Sequence, residues 1–390
     1  MSFFCHDLRR SDPECMLVLS KGGNMSPHNS GSRRNFLKTS IFGGLSMAGA
    51  LRFADAAQNK SAPVDDPFNF PFPPPAAVTA PPARVALTTG ESRADNTFRA
   101  LRPFEREIER AIGDKLVVLK VNNVNIDKPL CATHADQLEG ILEFLKSIRK
   151  TNVVIAESPG GGSTLEGFTN YGYNKFVGKY GAKFVELDNT DFEPLYCLNQ
   201  ADFRPRRCRV SKMMLDPNNF IISAAKIKTH NMVGATFSLK NVVVGSAIKE
   251  PAPAPGVMGI SDKPIIHGGG VLGINYNLAA LASRLHPHLA VVDGFEGMEG
   301  DGPISGTPVD HRVCVVSTDW LAADTVSAEL MGFGIGKIGY LTYCAQAGLG
   351  QSDLSKIEIL GPALKDHIKI YKEPSNMERL MSWRKTPQTA

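Results

Sequence analysis

Phe220-Ile-Ile-Ser-Ala-Ala-Lys-Ile-Lys-Thr-His230 is an almost wholly apolar run that ends in two lysines and a histidine. A short run of this kind, Phe220–Ala225, reads as a buried strand. Side chains alternate faces along a strand, so Lys226, Lys228 and His230, spaced two apart, are expected on one side at its carboxyl end. In open α/β sheets the ligand crevice lies beyond the carboxyl ends of the strands, so this end is expected to bind something anionic.

Around this run, strand-like and helix-like segments alternate. Val85–Thr88, Leu116–Val121, Val153–Ala156, Phe184–Leu187, Leu289–Val292 and Val313–Ser317 read as strands; Asn96–Ile112, Ala135–Ile148, Tyr173–Tyr180, Val271–Leu285 and Leu321–Met331 read as helices. The alternation implies an α/β fold with a largely parallel central sheet and helices on both faces. It is expected to form one extended domain over residues 84–371, with a bilobed arrangement left open. Asn189–Pro217, which contains Arg204, Arg206, Arg207 and Arg209, interrupts the pattern as an insertion or hairpin. Ile357–Gly361 and Ile368–Tyr371 alternate as edge strands do. Glu250–Lys263, with three prolines and no periodicity, reads as a mobile loop.

Composition narrows the function. The chain has 390 residues, 43% hydrophobic, enough for a large core. Of its net charge of +4, residues 1–57 supply most, with seven Lys/Arg against four Asp/Glu. The remainder is near neutral, which argues against nucleic acid as a partner, since that needs a concentrated basic surface. Ser32-Arg33-Arg34-Asn35-Phe36-Leu37-Lys38, the modestly apolar Ile41–Leu51 and Ala54-Asp55-Ala56 follow the order of a twin-arginine export signal. Residues 1–57 are therefore expected to be an export region recognised by the twin-arginine translocation machinery, with translation starting at Met25. Its apolar stretch is about half the roughly 20 residues needed to cross a bilayer, so no permanent span is expected. Residues 58–83 read as a Pro-rich linker and 372–390 as a tail, and the folded part is placed in the periplasm or another extracytoplasmic space.

Beyond the signal, Cys131, Cys197, Cys208, Cys314 and Cys344 form no C-x-x-C pair, so a cysteine-held iron-sulfur cluster or zinc is not expected. Cys197 and Cys208 could close a disulfide, or all five could be scattered buried thiols.

Polar clusters fall where strands end. Lys120-Val-Asn122 follows the second strand, with Thr133 placed to cap the next helix. Glu157-Ser-Pro-Gly160-Gly161-Gly162 lies between a strand and a helix, where glycines let backbone amides approach a ligand, although a plain tight turn explains them too. Lys240 and Asn241 join the Lys226, Lys228 and His230 set, and His267 precedes a Gly-rich helix start. Asp293 opens an acidic loop that could hold a divalent cation with Asp319 or Asp324; solvated carboxylates and helix caps are the plainer alternatives.

Taken in order, Lys120-x-Asn122, the Glu157 glycine loop, Lys226-x-Lys-Thr-His230, Leu239-Lys-Asn241, Asp293-Gly294, Gly300-x-Gly-Pro303 and Asp319-x-x-Ala-x-Asp324 resemble domain-of-unknown-function family 362, over roughly Arg84–Gly361. The resemblance implies no established reaction. Some relatives carry ferredoxin-type cysteines, which this sequence lacks. The reading that follows is an exported enzyme for a small anionic metabolite. Lys226 and Lys228 would serve with His230 in catalysis; Lys120, Asn122, Glu157, Gly160–Gly162, Lys240, Asn241 and His267 would bind the ligand, and a metal would sit at Asp293, Asp319 and Asp324. The alternative is a non-catalytic ligand-binding or redox-accessory module.

Overall fold

The structure, a computed structural model, describes residues 80–250 and 259–384. The export signal, most of the Pro-rich linker and the centre of the Glu250–Lys263 loop lie outside the described residues.

In chain order, β1 (Ala83–Thr89) leads through α1 (Arg93–Leu101) and α2 (Glu105–Ile112) to β2 (Leu116–Lys120). Then come α3 (Ala135–Ser147), β3 (Val153–Glu157), α4 (Thr164–Asn170), α5 (Lys175–Tyr180) and β4 (Lys183–Glu186). A hairpin of β5 (Phe192–Asn199) and β6 (Arg204–Ser211) fills the Arg-rich interval. β7 (Asn219–His230), β8 (Gly234–Thr236), α6 (Ser238–Gly245), α7 (Lys263–Ile266) and α8 (Val271–Ala282) follow. β9 (Leu289–Glu299), β10 (Thr307–Ser317), α9 (Trp320–Leu330), α10 (Gly339–Gln346), β11 (Ile357–Leu360) and α11 (Met377–Leu380) complete it.

One nine-stranded sheet runs in the order β11-β1-β10-β9-β7-β2-β3-β4, with β8 paired to β7. The pairs β7/β9, β7/β2, β2/β3, β3/β4 and β1/β11 are parallel, while β1/β10, β10/β9 and β7/β8 are antiparallel. The fold is thus α/β with a mixed, mostly parallel sheet covered by helices on both faces.

Parity along β7 decides what each face meets. Phe220, Ile222 and Ala224 pack in one apolar cluster with Leu138 and Ile141 of α3 and Ile108 of α2. Ile221, Ala225 and Ile227 pack in the other with Leu239 and Val242 of α6, Leu278 of α8 and Leu321 of α9. Burial on both faces explains the continuous apolar run, as expected for a strand with parallel neighbours under helices. β2 lies between β3 and β7, and the chain leaves β2 toward α3 on one face and β7 toward α6 on the other. Reversals of this kind leave a crevice at the carboxyl edge of a sheet.

Several expectations from the sequence need revision. The Asn96–Ile112 helix is two helices, interrupted by a 3₁₀ turn at Arg102–Phe104, where Pro103 has no N–H to donate. β9 runs on through Asp293 to Glu299, because Thr307–Asp310 of β10 pairs with Glu296–Glu299; that half of the acidic loop is strand. Ile368–Tyr371 is not an edge strand: its N–H groups at Lys369 and Tyr371 donate to the carbonyls of Leu330 and Met331 at the end of α9. Cys197 and Cys208 are buried free thiols, as are Cys131, Cys314 and Cys344.

Candidate functional site

Beyond the carboxyl ends of β2, β3 and β7, on the α6 side of the sheet, lies a cavity of about 550 Å³. Lys120, Asn122, Glu157, Gly160, His230, Lys240, Asn241 and His267, all singled out from sequence, line it, together with Lys263 and Ser158. Met232, Val244, Pro264, Pro303 and Ile304 supply apolar wall.

Its floor is a closed polar network. Lys120, the last residue of β2, donates from Nζ to Glu157 Oε1 at 2.5 Å, to the Val121 carbonyl at 2.6 Å and to Asn241 Oδ1 at 3.1 Å. Glu157, the last residue of β3, also accepts the N–H groups of Asn123 (2.6 Å) and Ser158 (2.8 Å). Asn241 in turn donates to the Lys120 carbonyl and to Ser223 Oγ, and accepts from Asn122 Nδ2 at 3.1 Å. All three Lys120 protons are used and its charge is met by Glu157, although burial holds its ammonium below the ordinary lysine range. Gly245 of α6 closes over this pair: a Cβ there would stand 2.3 Å from Lys120 Nζ.

Above the floor the charge is not balanced in this way. Lys240, in the first turn of α6, has no hydrogen-bond or ion-pair partner among the described residues, and burial, aided by the Lys228 charge, pushes it down to about 7. Lys263, at the start of α7, donates to Ser158 Oγ (2.6 Å) and the Ala247 carbonyl (2.7 Å), and burial lowers it to about 8. The sequence reading missed Lys263 as the end of a loop. The signal was available: Lys263 and His267 are four apart, hence on one side of a helical turn.

The two histidines are neutral in complementary ways. His230 accepts the Met232 N–H at Nδ1, so its proton sits on Nε2. His267 Nδ1 lies 2.7 Å from the Lys263 carbonyl, which can only accept, so its proton is on Nδ1 and Nε2 keeps a free lone pair. Burial first, then the Lys240 charge, holds His230 well below the imidazole range and His267 down to about 4.

Lys226 and Lys228 do not line the cavity: they point to the α3 face, whereas His230, of the same parity at the end of β7, does line it, beyond an irregularity in the β7/β9 ladder between Lys226 and Lys228. Lys228 donates to the Cys131 carbonyl (2.7 Å) and to Asn122 Oδ1, behind the floor, and burial lowers it to about 8. Lys226 sits with Asp293, Arg93 and Glu296, its Nζ 3.9 Å from Glu296. The glycine loop serves packing more than ligand approach. A Cβ on Gly160 would meet the Val124 carbonyl at 2.6 Å, one on Gly162 (φ +76°) would meet Ile126 at 2.3 Å, and Gly161 faces open space. Thr133 does not cap α3; His134 does, while Thr133 Oγ1 donates to the Ala224 carbonyl.

The three carboxylates expected to hold a cation are committed elsewhere. Asp293 faces Arg93 at 3.2 Å and accepts the Phe295 N–H. Asp319 caps α9 through the Ala322 N–H. Asp324 reaches from α9 to the start of α6, accepting the N–H groups of Ser238 (2.9 Å) and Leu239 (3.1 Å) and the Ser238 hydroxyl (2.6 Å). Among the described residues no three His, Cys, Asp or Glu side chains converge as a metal site would require. Asp324 thereby fixes the helix that carries Lys240. Asp324→Asn, whose amide turns an NH₂ toward one of these donors, is expected to lower unfolding free energy by roughly 1–3 kcal/mol. An unchanged urea midpoint would refute this anchoring role.

Fold and cavity together define an α/β protein with a half-open, lysine- and histidine-lined cavity at the carboxyl edge of its sheet. The chain belongs to the family described as Domain of unknown function (DUF362), which matches residues 117–329, the span that carries every cavity residue named above. It is similar to the thylakoid-associated protein sll1697 of Synechocystis sp. (strain ATCC 27184 / PCC 6803 / Kazusa), 25% identical over 243 residues, 61% of this chain and 68% of that one. A crystal structure of a Thermotoga maritima protein aligns at 12% identity with a TM-score of 0.35, covering 64% of this chain and 58% of that chain, under two thirds of its length.

Proposed function

We propose that the protein is an exported enzyme acting on a small anionic metabolite, a carboxylate or phosphate, held in the Lys240/Lys263 cavity. One observation carries this reading: Lys240 is buried in the cavity wall with no partner among the described residues, beside two neutral imidazoles. A buried ammonium without a counter-charge is costly, and an anion entering the cavity would supply one. Lys120 does not compete, because Glu157 already neutralises it. His230 and His267 offer a donor and an acceptor for proton transfer once a substrate is bound.

The test is a panel of small carboxylates and phosphates scored by thermal stabilisation and, for those that bind, by product formation. Stabilisation is expected for at least one anion and is expected to vanish in Lys240→Met and to weaken in Lys263→Met. Equal stabilisation in wild type and both variants would overturn the assignment. Binding should also weaken as pH rises. Both ammoniums lose their protons above about 7 and about 8 respectively, and the charged fraction then falls roughly tenfold per pH unit.

Export is the second part of the proposal, supported by the Arg33-Arg34 signal pattern. An Arg33→Lys, Arg34→Lys double variant is expected to remain in the cytoplasmic fraction while the unaltered protein leaves it. Unchanged fractionation would remove the twin-arginine route.

A further inference from the structure

We propose that Lys240 is an imine-forming amine, and that the substrate is a small 2-oxo acid or similar carbonyl compound whose carboxylate is held by Lys263. The proposal rests on the anion-binding reading of this cavity and adds a covalent step to it.

The lysines of the site divide into three kinds. Lys120 is locked by Glu157, Val121 and Asn241, and Lys228 is held by Asn122 and the Cys131 carbonyl. Lys263 spends two protons on Ser158 and Ala247, which leaves a third for a ligand oxygen. Lys240 alone of these four has its Nζ unengaged among the described residues, and it faces a half-open cavity with largely apolar walls. Desolvation with another cation nearby, here Lys228, is the arrangement that makes a lysine a nucleophile near neutral pH, and Lys240 is accordingly lowered to about 7.

The histidines supply what imine formation needs. The Nζ lone pair of Lys240 forms the C–N bond as the carbonyl π pair moves to oxygen. His230 Nε2–H hydrogen-bonds that developing oxyanion without surrendering its proton. His267 Nε2, the free acceptor, takes one proton from the new ammonium. Being too weak a base to keep it, at about 4, it passes it to the oxygen. A second proton, returned by solvent in place of the one the Lys240 ammonium released to it on becoming the free amine, carries the hydroxyl away as water while the nitrogen lone pair closes the C=N bond. The product is a protonated imine plus water, with every proton accounted for. A cation there in turn acidifies the carbon next to it, the usual reason for an enzyme to make one.

The experiment uses purified protein with pyruvate, small enough for a 550 Å³ cavity, and borohydride to trap any imine. Wild type is expected to gain one reduced pyruvyl group per chain, mapped to Lys240, and Lys240→Arg is expected to gain none. Acetone, a carbonyl without a carboxylate, is expected to label at least about tenfold more slowly, in keeping with the loss of one charge-assisted contact. Lys263→Met should erase that preference. If Lys240 stays unmodified, or is labelled no faster than surface lysines, the proposal is overturned. Thermal stabilisation by pyruvate with no adduct would sink the imine and leave the anion site standing; no adduct and no stabilisation by pyruvate or by any anion of the panel would remove both. If Lys240→Arg misfolds by circular dichroism, Lys240→Met, which sheds the buried charge, is the control.

Discussion

Glu157→Gln is expected to destabilise the protein by about 3–5 kcal/mol, the cost typical of stranding one partner of a buried ion pair. Both side chains of the Lys120–Glu157 pair are essentially inaccessible, 1% and 3% exposed, so no solvent screening softens the loss. Glutamine keeps the shape but offers one acceptor where the carboxylate serves the Lys120 ammonium and the N–H groups of Asn123 and Ser158. Removing both charges should behave differently. A Lys120→Met, Glu157→Leu double variant is expected to recover most of the loss, because apolar replacement of a whole buried pair is often neutral or stabilising. Urea unfolding of the two variants beside wild type decides it. A Glu157→Gln midpoint equal to wild type would show that the pair contributes nothing.

Lys240→Met is expected to move stability the other way, raising it by roughly 2–4 kcal/mol at pH 7 while abolishing anion binding. The folded-state pKa of Lys240, about 7, lies below that of an unfolded lysine. Between the two values the unfolded chain binds a proton that the folded chain does not, so wild-type stability rises with pH through that window. The advantage of the variant should therefore be largest at and below pH 7 and shrink toward pH 10. An advantage constant across that range would mean that methionine gains by packing alone. Stability lost to a functional group and regained on its removal is the usual trade-off at binding sites.

How much of this was legible beforehand follows from periodicity. Apolar runs of strand length and helical apolar spacing announce themselves, so β1–β4, β7, α3, α8 and α9 were placed nearly where they lie. Lys240, Asn241, Lys120, Glu157, His230 and His267 line one cavity, and each is legible because strand ends and helix starts are visible as abrupt polar breaks. Lys226 and Lys228 point away from the cavity although His230, of the same parity, lines it; alternation alone does not tell how β7, irregular against β9 between Lys226 and Lys228, presents its last residues, and that is tertiary information. Asp293 and Asp324 looked like ligands because a carboxylate beside a strand or helix end reads the same whether a cation, an arginine or two amide protons wait opposite. Lys263 was overlooked as a site residue because α7 is a single turn, too short to show a period, so its four-residue spacing to His267 was the one cue on offer.

Gly245 has a consequence for how this lineage can change. Any side chain there would crowd the Lys120 Nζ and Cε and lie 3.4 Å from the Glu157 carboxylate, so a mutation at 245 must displace the lysine end from its partner. Evolutionary paths are thereby biased: the glycine grows at least cost once the lysine has shrunk. Homologues with alanine or larger at the position of Gly245 are expected to lack the lysine at that of Lys120, and a single relative keeping lysine, glutamate and a bulky third residue would break the rule.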